Sequence, residues 1–236
     1  MCKVPIYQPE LVKGIGIIHP DDYRGPENSL IGAHRRRTKN TSAFKTAKAV
    51  STAGTTATLV FDLPPSPGDT MFVNMRNGNS SALISYPGWT LLGFASSSLY
   101  TLVRIADNTD TNSYPFTFNG NVNNFNLQAV MISGTVGYQG YLMTTVNNSL
   151  TPTSPSYSIT KNSTMLYYFS TAGSANGATS ASIPAGYTAI LTSGFNLQTT
   201  YQTFSDFATS SWTVTFSPGT GPATTRIVRI EILGAT

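Results

Sequence analysis

The chain has 236 residues, a net charge of +4, only 10% charged residues, two histidines and one cysteine. General acid–base and nucleophilic catalysis both need titratable groups placed close together, so this composition argues against an enzyme. Cys2 has no partner for an internal disulfide, and no apolar run is long enough to predict a membrane-spanning helix.

The charges are distributed unevenly along the chain. Residues 1–48 hold nine Lys/Arg and four Asp/Glu, whereas residues 49–236 hold five basic and six acidic residues. Four prolines and four glycines interrupt every candidate element in the first 48 residues. We therefore predict an extended basic anchoring arm at residues 1–48 and a folded body at residues 49–236.

The densest positive charge of the arm lies between residues 34 and 48, which contain no acidic residue. Its six basic side chains are Arg35, Arg36, Arg37, Lys39, Lys45 and Lys48. Such a cluster can dock on an acidic protein surface, where Arg pairs with carboxylates, or it can be a solvated linker. It could also neutralise phosphates, but the body has no basic patch to continue such a surface. We predict partner docking, and we do not expect nucleic-acid binding.

From about residue 57 the pattern changes to short runs rich in Thr, Val, Tyr and Phe, separated by Gly, Pro, Asn and Ser. Residues 125, 127, 129 and 131 are apolar, and so are residues 130 and 132, which predicts a strand covered on both sides. About twelve short strands with frequent turns predict an all-β, antiparallel β-sandwich. The predicted strands are residues 58–63, 70–76, 90–95, 99–105, 115–118, 124–132, 156–159, 164–170, 187–194, 201–207, 212–216 and 225–233.

The two halves of the body repeat one another. Pro87-Gly88-Trp89-Thr90 matches Pro184-Ala185-Gly186-Tyr187-Thr188, and residues 116–120 match residues 214–219, with offsets of 97 to 100 residues between landmarks. This spacing predicts an internal duplication, with pseudo-repeats at about 57–135 and 156–233. We expect one jelly-roll-like sandwich of two interleaved sheets, because each half alone would leave one sheet face uncovered.

Trp89 and Trp212 have two interpretations. They could be platforms on which sugar rings stack, or they could anchor the cores of the two halves. We prefer packing, because Trp89 recurs as Tyr187 in the second half and a repeated position is more readily a packing position.

The acidic residues suggest no active centre. Asp107 and Asp110 have the alternation of oxygen ligands seen in calcium loops, but the glycine and the closing Glu are missing. We interpret them as side chains that cap their own turn. A polysaccharide depolymerase would need two carboxylates around a glycosidic bond, and Glu231 is the only Glu of the body. We predict no catalytic residue, no metal ligand and no cofactor.

A succession of motifs in the first half carries a family resemblance. It consists of Pro67-Gly68-Asp69, an apolar strand, Pro87-Gly88-Trp89-Thr90, a second strand and the aromatic-Thr-aromatic run of residues 116–118. This succession resembles a β-sandwich module of tailed-bacteriophage virion proteins, and residues 184–188 and 212–232 continue it. The resemblance implies a particle component and carries over no catalytic residue.

The resulting hypothesis is a structural component of a phage virion, made in the host cytoplasm. The role we expect is that of a capsid decoration or cement protein, anchored by its arm to capsid or other virion proteins. A homotrimer is expected by analogy only. The alternative is a tail or fibre accessory protein with a carbohydrate-binding or receptor-binding role.

Overall fold

The computed structural model of the protein describes residues 42–78, 81–95, 99–172, 180–192, 197–217 and 224–234. Within these ranges all pairing is antiparallel and no residue is helical, so none forms a helix that could cross a membrane. The strands in this described part are β1 (Ala43–Val60), β2 (Thr70–Arg76), β3 (Leu83–Ser85), β4 (Thr90–Ala95), β5 (Leu99–Ile105), β6 (Ser113–Ser133), β7 (Thr135–Asn147), β8 (Tyr157–Ile159), β9 (Ser163–Ala172), β10 (Ser180–Ser182), β11 (Thr188–Thr192), β12 (Leu197–Phe204), β13 (Ala208–Ser210), β14 (Thr215–Ser217) and β15 (Thr224–Gly234).

Two larger sheets contain most of these strands. Sheet A has the order β1-β6-β2-β5-β4, with β3 also paired to β6, and sheet B has the order β11-β12-β9-β15-β7. The short pairs β10–β14 and β8–β13 complete the pairing. Sheet A is thus built by the first half of the chain and sheet B by the second, so the expectation of interleaved sheets is wrong.

The two sheets have the same strand order. Strands β1, β6, β2, β5 and β4 of sheet A correspond in sequence to β7, β15, β9, β12 and β11 of sheet B. The register agrees as well: Thr90 pairs with Val103, and Thr188, 98 residues later, pairs with Tyr201. These matches are what a duplication predicts.

The apolar core consists of three clusters. One lies between the sheets and is called the inter-sheet cluster; each half also has an outer cluster of its own on the opposite face of its sheet. The inter-sheet cluster contains Phe72, Leu99, Val103, Val130 and Ile132 from sheet A with Leu166, Tyr168, Val228, Ile230 and Ile232 from sheet B. The outer clusters include Phe61, Met71, Phe116, Phe125 and Met131 in the first half and Met165, Tyr167, Phe169, Trp212 and Phe216 in the second.

The central strands are apolar on both faces because both faces are covered. In β6, Ala129 and Met131 point into the outer cluster, whereas Val130 and Ile132 point into the inter-sheet cluster. Successive side chains of a strand alternate between the faces of the sheet, which produces this division. The prediction that residues 125–132 form a strand covered on both sides is confirmed.

Strand β1 packs on two clusters, through Val50 on the outer cluster of the first half even before its pairing with β6 is interrupted around Gly54. The register shifts on either side of this residue, whose φ is 124°, a conformation that glycine adopts readily. Before the shift, Phe44 and Ala47 pack on the inter-sheet cluster. After it, Ala57 and Leu59 are buried in the outer cluster of the first half.

Several boundaries differ from those predicted. Strand β1 begins at Ala43, so residues 43–48, which the sequence assigned to the arm, pair with β6. Strand β7 was not predicted, because Gly137 and Gly140 resemble turn residues and its side chains are only half buried. The predicted strand at residues 212–216 is reduced to β14 and an isolated bridge at Thr213. The chain divides between Lys39 and Asn40, and the predicted arm up to residue 41 lies outside the described residues.

Because the inter-sheet cluster joins the halves, we expect Ile230→Ala to destabilise the whole body. The substitution removes a fully buried side chain and should lower the free energy of unfolding by about 2–5 kcal/mol in a single cooperative transition. Val136→Ala, at a largely exposed position of the same sheet, should change it by less than about 0.5 kcal/mol. Two separate transitions in chemical denaturation would contradict a shared core.

Candidate functional site

The lysines at the end of the predicted docking cluster make their contacts within the body. Lys45 Nζ lies 2.6 Å from Asp69 Oδ2, and Lys48 Nζ lies 2.7 Å from Asp62 Oδ1. Asp69 is buried and also accepts a 2.8 Å hydrogen bond from the amide of Ser66. Lys45 therefore joins β1 to the turn before β2, whereas the sequence had assigned both lysines to partner docking. Arg35, Arg36, Arg37 and Lys39 lie outside the described residues.

Both tryptophans are packing residues. Trp89 is 6% exposed and meets the ring of Tyr114 edge-on at 5.3 Å. Trp212 is 0% exposed and stacks on Tyr167 at 5.3 Å with an angle of 9° between the rings. Neither indole has an exposed face on which a sugar could stack. The glycan-stacking interpretation of these two rings is therefore wrong, and both pack in the outer clusters.

Asp107 and Asp110 cap their own turn. The amide and hydroxyl of Thr109 donate hydrogen bonds of 2.7 and 2.6 Å to Asp107 Oδ1, and the amide of Asp107 donates one of 2.8 Å to Asp110 Oδ2. The hydroxyl and amide of Thr109 hold the pKa of Asp107 below its ordinary value. Among the described residues no group of three or more potential ligands is placed to hold a metal ion.

Glu231 is a fully buried carboxylate with hydrogen-bond donors on both oxygens. Tyr157 Oη and Gln139 Nε2 donate to Oε2 at 3.0 and 2.8 Å, and the amide of Thr160 donates to Oε1 at 2.6 Å together with the hydroxyl of the same residue. Arg229 lies beside this network, its guanidinium 4.2 Å from the centre of the Tyr157 ring. The carboxylate thus connects β15 to β7 and to the segment after β8, which is a structural use.

One cavity in the described part of the chain combines charged and hydroxyl groups. It has a volume of about 390 Å³ and lies between the Pro87-Gly88 turn, the end of β5 and the loop from β5 to β6. Its polar lining consists of Arg104, Asp110, Tyr114, Thr109, Thr111 and Ser113. We call it the Arg104 cavity.

The charged groups of the Arg104 cavity are held in place by one another. Arg104 Nε lies 2.6 Å from Asp110 Oδ1, and Tyr114 Oη donates a hydrogen bond of 3.1 Å to the same oxygen. Burial, and then the negative charge of Asp110, raise the pKa of Tyr114, so its hydroxyl stays protonated as a donor. The side chains of Arg104 and Asp110 are 16% and 1% exposed, so the guanidinium is the part that solvent can reach.

Gly88 makes room for the guanidinium. Its φ is 74°, and a Cβ at this position would lie 1.5 Å from Arg104 Nη1. Sequence reasoning identified Gly88 only as a turn residue and did not single out Arg104. The only available signal in the sequence was a weak one: Arg104 and Asp110 are two of the few charged residues of a nearly uncharged body.

Comparison of the chain with protein-family models, curated proteins and solved structures gives no match. The function must therefore be inferred from the residues of this chain and their contacts.

Glu231→Gln should weaken the body and change its response to acid. Burial alone would raise the pKa of Glu231, but hydrogen bonds from Thr160 and Gln139 outweigh it, and the pKa lies below the ordinary value of 4.5. Stability from the charged form is thus present above about pH 4.5 and is lost as the pH falls through the lower pKa of the folded state.

We expect Glu231→Gln to lower the free energy of unfolding at pH 7 by about 1–3 kcal/mol and to reduce the loss of stability as the pH falls below 4.5. Denaturant titrations across this range measure both effects. Asp206→Asn, at an exposed carboxylate, is the matched control. Identical pH profiles for the wild type and Glu231→Gln would refute the assignment.

Proposed function

We propose that the protein is a non-enzymatic structural component of a tailed-phage virion, namely a capsid decoration or cement protein. In this proposal a jelly-roll-like, internally duplicated sandwich forms the body, and a basic N-terminal arm joins it to capsid or other virion proteins. A homo-oligomer, with a trimer as the expected form, would present several arms to the particle and so raise the effective concentration of each contact.

The observation that best supports a structural role is the way in which the carboxylates of the body are used. Of its six acidic residues, five accept ion pairs or hydrogen bonds within the fold. Glycoside hydrolysis needs two carboxylates that face a substrate from opposite sides. Carboxylates committed to turns and buried networks support a scaffold rather than a hydrolase.

The distribution of positive charge supports attachment through the arm. Lys45 and Lys48 are neutralised within the body, so the basic residues available to a partner are concentrated before residue 41, where seven Lys/Arg accompany four Asp/Glu. Arg forks in a segment without regular periodicity can pair with carboxylates on a partner surface.

A tail or fibre accessory protein with a receptor-binding role is the second candidate. The observation that favours it is the Arg104 cavity, whose charged pair and hydroxyl groups are suited to a polar ligand. Mass spectrometry of gradient-purified particles, separated into heads and tails, distinguishes the candidates. Recovery in the head fraction supports the decoration role, recovery with tails supports the second, and absence from both overturns the proposal.

Removal of residues 1–40 should leave a folded body that no longer joins its particle. The described strands begin at Ala43, and among the described residues the three apolar clusters are formed after that point, so we expect the core to fold without the arm. Thermal unfolding and co-sedimentation with particles stripped of the protein measure the two effects. A truncated chain that unfolds or precipitates would show that the arm belongs to the core.

Replacement of Arg35, Arg36 and Arg37 by Ala should weaken attachment while changing body stability by less than about 0.5 kcal/mol. Rim contacts fade as ionic strength rises, whereas desolvated Arg–carboxylate pairs persist, so the binding of the wild type across a salt series identifies the kind of contact. Lys161→Ala, at an exposed lysine of the body, is the control. Wild-type affinity of the triple variant at low salt would make the arginines a solvated linker.

A further inference from the structure

We propose that the Arg104 cavity binds a neutral saccharide unit. This inference goes beyond the particle role and does not depend on it, because a decoration protein and a tail protein could each carry such a site. The site differs from the tryptophan platforms considered from the sequence, since both indoles are buried.

The duplication provides an internal comparison for this cavity. Gly88 and Gly186 occupy equivalent turns, with φ of 74° and 88°. The same offset of 98 residues relates Phe118, which pairs with Leu83, to Phe216, which pairs with Ala181. At that offset the second half has Gln202 and Ala208 where the first half has Arg104 and Asp110.

The second half therefore builds the same strands without the ion pair. Strands β11 and β12 pair in the register of β4 and β5, although Gln202 replaces the arginine and Ala208 the aspartate. The pairing of these two strands therefore does not require Arg104 and Asp110. The ion pair is thus a feature of the first half, and its place in the lining of the cavity makes it a candidate for binding.

The guanidinium is oriented before any ligand arrives. Asp110 contacts Arg104 through Nε, and the same carboxylate is fixed by the hydroxyl of Tyr114 and the amide of Asp107. Nη1 lies over Gly88, with only a long 3.4 Å hydrogen bond to the carbonyl of Pro87. Groups already fixed in place lose little entropy when a ligand binds, which favours even a small ligand.

The lining favours an uncharged ligand. The lining holds one cation, Arg104, and one carboxylate, Asp110, which are paired at 2.6 Å, so the charges of the lining cancel and its net charge favours neither an anion nor a cation. The hydroxyl of Ser113 can donate and accept hydrogen bonds, as sugar hydroxyls do, whereas the hydroxyl of Thr111 already bonds the backbone of Ser113.

The size and the apolar part of the lining fit a sugar as well. Pro87 and Pro115 add apolar surface on which the C–H face of a sugar ring can rest. A volume of about 390 Å³ lies within the range of roughly 300–1,000 Å³ of small-molecule sites. A saccharide unit combines these properties: no charge, many hydroxyls and an apolar ring face.

Saturation-transfer NMR on the full chain tests the proposal. The probes are the methyl glycosides of glucose, galactose, rhamnose and N-acetylglucosamine, with methyl glucuronide and inorganic phosphate as charged comparators, each titrated to about 10 mM, above the dissociation constant of weak complexes. Arg104→Gln/Asp110→Ala gives the first half the residues of the second and removes both partners of the ion pair together. Arg76→Gln is the matched control, since Arg76 lies at the other end of the sheet.

We expect at least one neutral glycoside to bind the wild type and Arg76→Gln alike, and to bind the double variant at least tenfold more weakly. Thermal unfolding establishes whether the double variant is folded. If it is not, Thr111→Phe fills the cavity from an exposed position and must abolish binding. Four outcomes would each overturn the proposal. The first two are the absence of saturation transfer from all neutral glycosides and equal binding of a glycoside by the folded double variant. The others are retained binding by Thr111→Phe and a preference for glucuronide or phosphate. None of these outcomes bears on whether the chain is a particle component.

Discussion

Burial of the inner faces of both central sheets is the constraint on which the rest of the structure depends. Each half has its own outer cluster, yet each would leave an apolar sheet face in water if it stood alone. The inter-sheet cluster removes ten side chains, five from each sheet, from water, so the loss of either sheet would expose the apolar face of the other. The two halves therefore form one unit.

The two halves share one strand order but differ in their rings and polar groups. In the first half Trp89 meets Tyr114. At an offset of 98 residues the second half has Tyr187 in place of Trp89 and Trp212 in place of Tyr114, so tryptophan and tyrosine are exchanged. The second half uses its polar groups to fix Glu231 inside the sheet, whereas the first places Arg104 and Asp110 at a cavity. Because the inter-sheet cluster and the outer clusters supply the stability, the turns at the end of each half can vary.

Alternation and turn chemistry predicted much of the fold. The coverage of residues 125–132 on both sides, the repeated turn at Gly88 and Gly186 and the turn-capping roles of Asp107 and Asp110 were all readable, because each depends on neighbours in sequence. The pairing order of the sheets was not readable from the sequence, since it depends on contacts between distant strands.

The start of β1 was missed because Lys45 and Lys48 resemble a solvated arm until their partners Asp69 and Asp62 are brought beside them. The Arg104 cavity was missed for the same reason, as its groups come from three separate segments.

Native-state hydrogen exchange tests most directly whether the shared core makes one unit of the two halves. The amides of β2 and β6 in sheet A and those of β9 and β15 in sheet B lie at the centre of their sheets, where exchange requires global opening. We predict the same opening free energy for the slowest amides of both sheets, equal to the free energy of unfolding from denaturant titration. Two distinct values, with one sheet exchanging while the other remains protected, would contradict the account.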